Sequence, residues 1–333
     1  GDGALLILDC NNHRIRRLKD GAVTTLAGGG DDSGYEDGPG VVARFDSPVS
    51  LALDAGGRLL VADANNRCVR VVTLEGVTTT IGGVDGPKIP GEPRSIATAK
   101  DGTVFVLTWD DDDGSRLRVI SADGSTAVLA GGQDGFADGW GEAARFYGPQ
   151  GMAMGPDGRL FIADSDNHSI RCVDRDGNVS TVAGRPWEDE EEPESIDGDL
   201  TVARFNDPMA VAVASDGTIY VGEYRRVRQI SRDGVVSTVC ECDGDVRGLF
   251  LDDGLLYFTS SENRIRTVVV PTPLQRFLTH IDPALRTWCL VQWQRAEMIP
   301  AEDARAAPER TALRLLMQCP IVEVTYRIFT FAF

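Results

Sequence analysis

Three aspartates, Asp9, Asp63 and Asp164, each stand three residues before an asparagine, Asn12, Asn66 and Asn167. Carboxylate and amide oxygens at short spacing are ligands for a hard cation such as calcium, so a metal site is the first chemistry to weigh. Each pair, however, lies between two apolar runs, in LLILDCNNHRIRRL (5–18), RLLVADANNRCVRVV (58–72) and RLFIADSDNHSIRCV (159–173). Asp and Asn at the junction of two strands cap the backbone of a tight connection, and a residue recurring in each copy of a repeat serves the copy's fold. These residues therefore read as structural. Arg14, Arg16, Arg70, Arg118, Arg171, Arg228 and Arg266, on the following strand, are expected to pair with such carboxylates.

Nucleophilic and zinc chemistry lack their residues. The chain has three histidines; His13 and His168 share one repeat position and His280 lies far downstream, so no Ser-His-Asp or Cys-His set assembles and a zinc centre has no convergent ligands. No phosphate loop is present. The seven cysteines, at 10, 68, 172, 240, 242, 289 and 319, show no zinc-finger spacing and read as free thiols of a reducing, cytoplasmic compartment. Sequons at Asn167-His168-Ser169 and Asn178-Val179-Ser180 keep a secreted alternative open.

The elements that hold these residues follow from the repetition. Three more copies are TVFVLTWDDDDGSRLRVI (103–120), TIYVGEYRRVRQI (218–230) and LLYFTSSENRIRTV (255–268), making six. A full copy reads as four short strands, such as GMAMG, RLFIAD, SIRCV and VSTVAG, with Asp-Gly turns at Asp157-Gly158, Asp176-Gly177, Asp216-Gly217 and Asp233-Gly234. Four-stranded units of about 40 residues that bury each other's faces are the blades of a β-propeller. The predicted fold is thus all-β, a six-bladed propeller over residues 1–270. The first copy lacks its inner strand and the sixth its outer strand, and upstream residues or the alternating VEVTYRIFTFAF at the C-terminus are expected to cover those edges. Residues 271–333 otherwise carry apolar residues at helical spacing and read as a small helical appendage.

The phrase D-x-x-N-H-R-I-R, then V-T-T-L-A-G, then D-G-x-G-x-x-A-R-F-x-x-P resembles the NHL-repeat family of β-propellers. The connector appears as DGPGVVARFDSP (37–48), DGWGEAARFYGP (138–149) and DGDLTVARFNDP (197–208), whose Phe45, Phe146 and Phe205 are expected to plug the gaps between blades. Blades three and six depart from the pattern, and blade five has Gly222-Glu223 in place of Ala-Asp. The resemblance implies two enzymatic precedents, a histidine-ligated zinc lyase and lactonases with calcium in the axial channel. The first is ruled against by the histidine count. For the second, the channel-mouth positions here are Val49, Arg94, Gln150, Met209 and Arg247, a poor cation site. Arg94, Gln150 and Arg247 are instead expected to receive an anion such as a peptide carboxylate. Some propellers of the family bind RNA on a basic face; a net charge of −18 opposes that, and opposes an anionic membrane surface. No apolar run approaches the ~18 to 20 residues that span a bilayer.

In a four-stranded blade, the loop between strands two and three and the connector to the next blade leave on the same face. The unusual insertions fall on those loops: DDSGYEDG (31–38), WDDDDGSR (109–116), QDGFADGWGE (133–142) and WEDEEEPESIDGD (187–199). One rim is therefore expected to be acidic and to carry tryptophans, with Trp109, Asp110, Asp111, Asp112, Trp140, Trp187, Glu188 and Glu190 as the candidate partner-binding residues. Aromatics in a charged rim suit a basic protein partner. The expected function is a monomeric, non-enzymatic binding scaffold without a cofactor, with loose calcium at Asp110 to Asp113 as a subsidiary expectation. The alternative is a metal-dependent lyase or lactonase working at the channel.

Overall fold

Glycine sets the turns that make the sheets small. In blade four the Asp174 N–H donates to the Asn178 carbonyl at 3.1 Å and the Gly177 N–H to the Asp174 carbonyl at 3.2 Å, while Asp174 Oδ1 accepts from the N–H groups of Asp176 and Asn178. Gly177 has a φ of +86°, which an L-residue rarely adopts, so the Asp-Gly pair closes a type I turn at its last two positions. The computed structural model describes residues 4–29, 32–81, 88–186, 194–252, 254–262 and 264–271. Among them the strands form six antiparallel sheets, the blades of a six-bladed β-propeller.

Blade four shows the full pattern: inner strand Pro149–Met154, then Leu160–Asp164, Ser169–Val173 and outer strand Asn178–Gly184, each paired with the next. A fifth strand, Gly139–Trp140 of the incoming connector, pairs with the outer strand, Trp140 opposite Asn178. Gly38–Pro39 and Gly198–Asp199 do the same for blades two and five. Blade three has four strands; blade one has Leu5–Asp9, Arg14–Lys19 and Ala22–Ala27, and blade six has Val246–Asp252, Leu255–Ser260 and Arg264–Val269. Among the described residues the first blade lacks an inner strand and the sixth an outer strand, as the copies predict. Blades one and six meet through side chains, Ile7 and Tyr257 packing with Leu5, Leu18, Phe250, Leu255 and Ile265. The predicted appendage over 271–333, with its strand-like end, lies outside the described residues apart from Pro271.

The core is a chain of clusters between blades. Phe45 packs with Leu8 and Ile15 of blade one and Val61 of blade two; Phe146 and Phe205 repeat this between blades three and four and between four and five. All three rings are fully buried, as plugs should be. Inner strands approach closely: a Cβ on Gly151 would lie 2.5 Å from the Met209 carbonyl of the next blade. No helix among the described residues is long and apolar enough to cross a membrane.

Candidate functional site: the loop face of the propeller

In blades two and four the recurring Asp, Asn and Arg meet in a buried clip. In blade four, Arg171 Nη1 donates to Asp164 Oδ2 (2.6 Å) and to the Arg145 carbonyl, and Nη2 to Asp138 Oδ1 (2.7 Å) and the Ala137 carbonyl. Asn167 donates to Asp164 Oδ2 and the Tyr147 N–H to Oδ1. The connector carboxylate of Asp138 is completed by the N–H and hydroxyl of Thr181. Arg70 with Asp63, Asp37, Asn66 and Thr80 repeats the set in blade two. In blade five Glu223 takes the aspartate's part, binding Arg228 at 2.9 Å and accepting from the Asn206 N–H. Burial pushes the Asp164 carboxyl up to about 6, against Arg171, Asn167 and the Tyr147 N–H. For the partly exposed Asp138 and Asp197 the donated hydrogen bonds and the arginine charge outweigh burial and hold the carboxyl below its usual range. These groups fasten each connector to the next blade, a folding role.

The histidines fasten blades too. The Ser47 N–H donates to His13 Nδ1 at 3.0 Å and the Asp207 N–H to His168 Nδ1 at 3.2 Å, each across a blade boundary. Both histidines sit in the left-handed region, at φ 54° and 50°, closing the short 3-10 turn between strands two and three. An Nδ1 that accepts a backbone N–H is unprotonated, and burial lowers the His168 value further, Asp207 opposing it.

The face carrying the strand two to strand three loops is acidic. Within the blade-three loop, Asp110 Oδ1 accepts the Asp112 N–H and Asp113 pairs with Arg116 at 3.0 Å, which leaves Asp111 and Asp112 exposed with no side-chain partner among the described residues. Asp134 of the next connector caps this loop through the N–H and hydroxyl of Ser115. Burial raises the Asp166 carboxyl, and the charges of Asp207 and Asp134 raise it further. Trp109 is on this face, half-buried, with the Arg94 guanidinium 5.4 Å from its ring centre. Trp140 is not. It pairs with Asn178 at the start of the outer strand, beside the Asp-Gly turns of the opposite face, and is 59% exposed there. The connector runs down the outer edge of the next blade before returning, so its residues are shared between faces. Trp187, Glu188 and Glu190 lie outside the described residues.

At the channel mouth the inner strands bulge. Register slips by one between Pro48 and Ser50, between Pro149 and Gly151, and between Val246 and Gly248, and likewise opposite Leu107 and Thr108, so Val49, Gln150, Arg247 and Arg94 are the extra residues. Bulges re-aim side chains out of the ladder. The two arginines are already engaged, Arg94 with Glu92 at 3.0 Å as well as Trp109, and Arg247 with Asp245 at 3.9 Å. Neighbouring carboxylates thus stand beside both arginines at this mouth. Among the described residues no group of three metal-ligating side chains converges.

A family model described as NHL repeat matches residues 45–72 and 146–173. The chain is a six-bladed propeller with NHL repeats in blades two and four. Each matched stretch of the NHL propeller runs from a plugging phenylalanine to the end of the third strand, so the signature spans plug, capping aspartate, asparagine and arginine. Teneurin-m of Drosophila melanogaster is 26% identical over 268 residues, 72% of this chain and 9% of that protein. NHL repeat-containing protein 2 of Gallus gallus is 23% identical over 319 residues, covering 66% of this chain and 43% of the relative. The chain thus spans less than half the length of either relative. A gluconolactonase from Xanthomonas campestris superposes with a TM-score of 0.54 at 17% identity, over 79% of this chain and 81% of that one, a likeness of fold.

One feature of the NHL propeller escaped the sequence reading. A cavity of about 610 Å³ opens between blades five and six, lined by Glu194, Tyr224, Arg225, Glu241, Asp243 and Arg266 among others. Its origin is the connector: only residues 242–245 lead into blade six, with no Ala-Arg-Phe segment to fill the wedge. The missing plug was the available signal.

Proposed function

We propose that this NHL propeller is a non-enzymatic binding module that docks a basic protein segment on its strand two to strand three loop face. The observation that carries this is the rim itself: Asp111 and Asp112 are exposed with no side-chain partner among the described residues, and Asp134, Asp166 and Asp207 stand on the loops and connectors of the same face. Carboxylates held near one another gain when a cationic partner arrives, and such a surface speeds association at low salt. Tyr224, 46% exposed at the mouth of the cavity between blades five and six, supplies an aromatic anchor for the same partner. The partner surface includes Trp109 and excludes Trp140. A net charge of −18 argues against nucleic acid and anionic membranes as partners. The five described cysteines are free thiols, in keeping with a cytoplasmic setting, and we assign no cofactor to the module.

The test uses a 20-residue Lys- and Arg-rich peptide as probe, titrated by fluorescence at 50 and 200 mM salt. Asp111→Asn, Asp112→Asn and Asp166→Asn together weaken binding about tenfold at the lower salt, while Trp140→Ala leaves it unchanged. Equal affinity of the triple variant and the parent would refute the assignment. Elemental analysis and calcium calorimetry decide the rival reading, since stoichiometric, tightly held calcium would move the function to a metal-dependent enzyme at the channel.

A further inference from the structure

Blades two, four and five serve as internal controls for blade three. Their third-strand arginines, Arg70, Arg171 and Arg228, are fully buried, and each binds a second-strand carboxylate, a connector carboxylate and two backbone carbonyls. Arg118 occupies the same register, opposite Val106 as Arg70 is opposite Val61. It too is buried, at 6% exposure. Yet Thr108 stands where blade two has Asp63, Val128 stands where it has Thr80, and the chain from Ile81 to Pro93 contains no Ala-Arg-Phe. The arginine has stayed while its second-strand carboxylate has gone.

Among the described residues the only hydrogen bond of the Arg118 side chain is from Nε to Thr108 Oγ1, at 3.2 Å. The nearby acids are in use, Asp113 on Arg116 and Asp110 on the Asp112 N–H. Among the described residues Nη1 and Nη2 have no hydrogen-bond partner, and the side chain keeps a slight exposure to solvent. Burial and the neighbouring Arg116 charge disfavour this cation, yet arginine does not lose its proton in a protein. An uncompensated buried charge is costly, and no carboxylate among the described residues binds this fork.

We propose that Arg118 is the receptor for a small carboxylate that enters from solvent between blades two and three and lies where the Asp63 side chain lies in blade two. The planar guanidinium offers two parallel N–H donors, which a carboxylate takes as a matched pair and chloride does not. The slight exposure of Arg118 restricts the ligand to formate- or acetate-sized ions or to the carboxylate end of a narrow molecule.

The experiment measures thermal unfolding in sodium acetate against sodium chloride at equal ionic strength, with inorganic phosphate as a further arm. Acetate at ten times its dissociation constant multiplies the folding equilibrium about 11-fold and raises the melting temperature by roughly 2 to 4 °C over chloride. Thr108→Asp places an internal carboxylate on the fork, so it melts higher than the parent in chloride and loses the acetate increment; Arg118→Met also loses the increment. Phosphate matching acetate would overturn the carboxylate assignment. So would a Thr108→Asp variant as responsive as the parent, or no increment in the parent. Asp85, which repeats Asp37 in the phrase Asp-Gly-Pro, supplies the remaining check: an Asp85→Asn variant that melts well below the parent and gains an acetate response the parent lacks would give the fork to the chain's own carboxylate and end the proposal.

Discussion

Replacing Arg171 with methionine tests the central packing argument, because methionine fills the arginine stem and removes only the charged fork. In the native blade that fork makes four hydrogen bonds, at 2.6 Å to Asp164, 2.7 Å to Asp138, 2.8 Å to the Ala137 carbonyl and 2.9 Å to the Arg145 carbonyl. Asp138 is half exposed and turns to water, whereas Asp164 is fully enclosed and is left as a buried carboxylate. Breaking a buried pair from one side costs about 3 to 5 kcal/mol, and the connector carbonyls lose their donors as well. The cost also has a pH signature. Burial already raises Asp164 to about 6, and without the Arg171 charge the value rises further. A carboxyl whose folded value exceeds its unfolded value favours folding at low pH and loses that favour as pH rises through the folded value. The deficit of Arg171→Met is therefore largest at pH 8 and shrinks toward pH 5. Urea unfolding at both pH values, read from the midpoint at unchanged slope, measures it. A deficit below about 1 kcal/mol at pH 8, or one that does not change with pH, would refute the account of the clip.

Three further outcomes follow from the same packing. Gly222→Ala places a methyl 2.5 Å from Val246 Cγ1 and loses about 1 to 3 kcal/mol in denaturant titration, since blades five and six meet there. Phe205→Ala empties the plug between blades four and five and loses about 3 to 5 kcal/mol by the same measurement, with the far-UV spectrum retained. His168 has its value lowered by burial, so its contribution is present above the usual 6.5 and is lost as pH falls through the folded value; melting temperature falls between pH 7 and 5 in the parent and less in His168→Asn, which keeps the left-handed backbone without the titration. Parallel slopes would remove the histidine from that role.

The fold was legible because the repeat writes it six times. Alternating apolar residues and Asp-Gly pairs fix strands and turns locally, and every copy corroborates the next. The structural reading of Asp63, Asp164, Asn66 and Asn167 was legible for the same reason, and Glu223 shows that geometry rather than residue identity is preserved. The faces were harder. Trp140 looked like a neighbour of Trp109 because both lie in insertions, but a connector that runs the depth of the sheet puts its ends on different faces, and pairing register is not written in the insertion. The bulges that turn out Arg94 and Arg247 leave no common mark, a proline preceding only Arg94, and their pairing with Glu92 and Asp245 depends on side-chain conformation. The cavity beside Tyr224 and the bereft Arg118 are readable only as differences between copies, in the length of one connector and the loss of one carboxylate.

The fifth strands make the seams between blades unequal. Where a connector belongs by sequence to one blade and by hydrogen bonds to the next, as at residues 38–39, 139–140 and 198–199, neither blade can open without breaking the other's ladder. Blades one and two are linked in this way, and so are three, four and five, whereas blades three and six receive no such strand among the described residues. In a chain of nearest-neighbour couplings, stability is shared within linked units and parts at the weak joints. Blades three, four and five carry two such links in succession, so amide exchange is slower within that stretch than at an unlinked edge, not uniform around the ring.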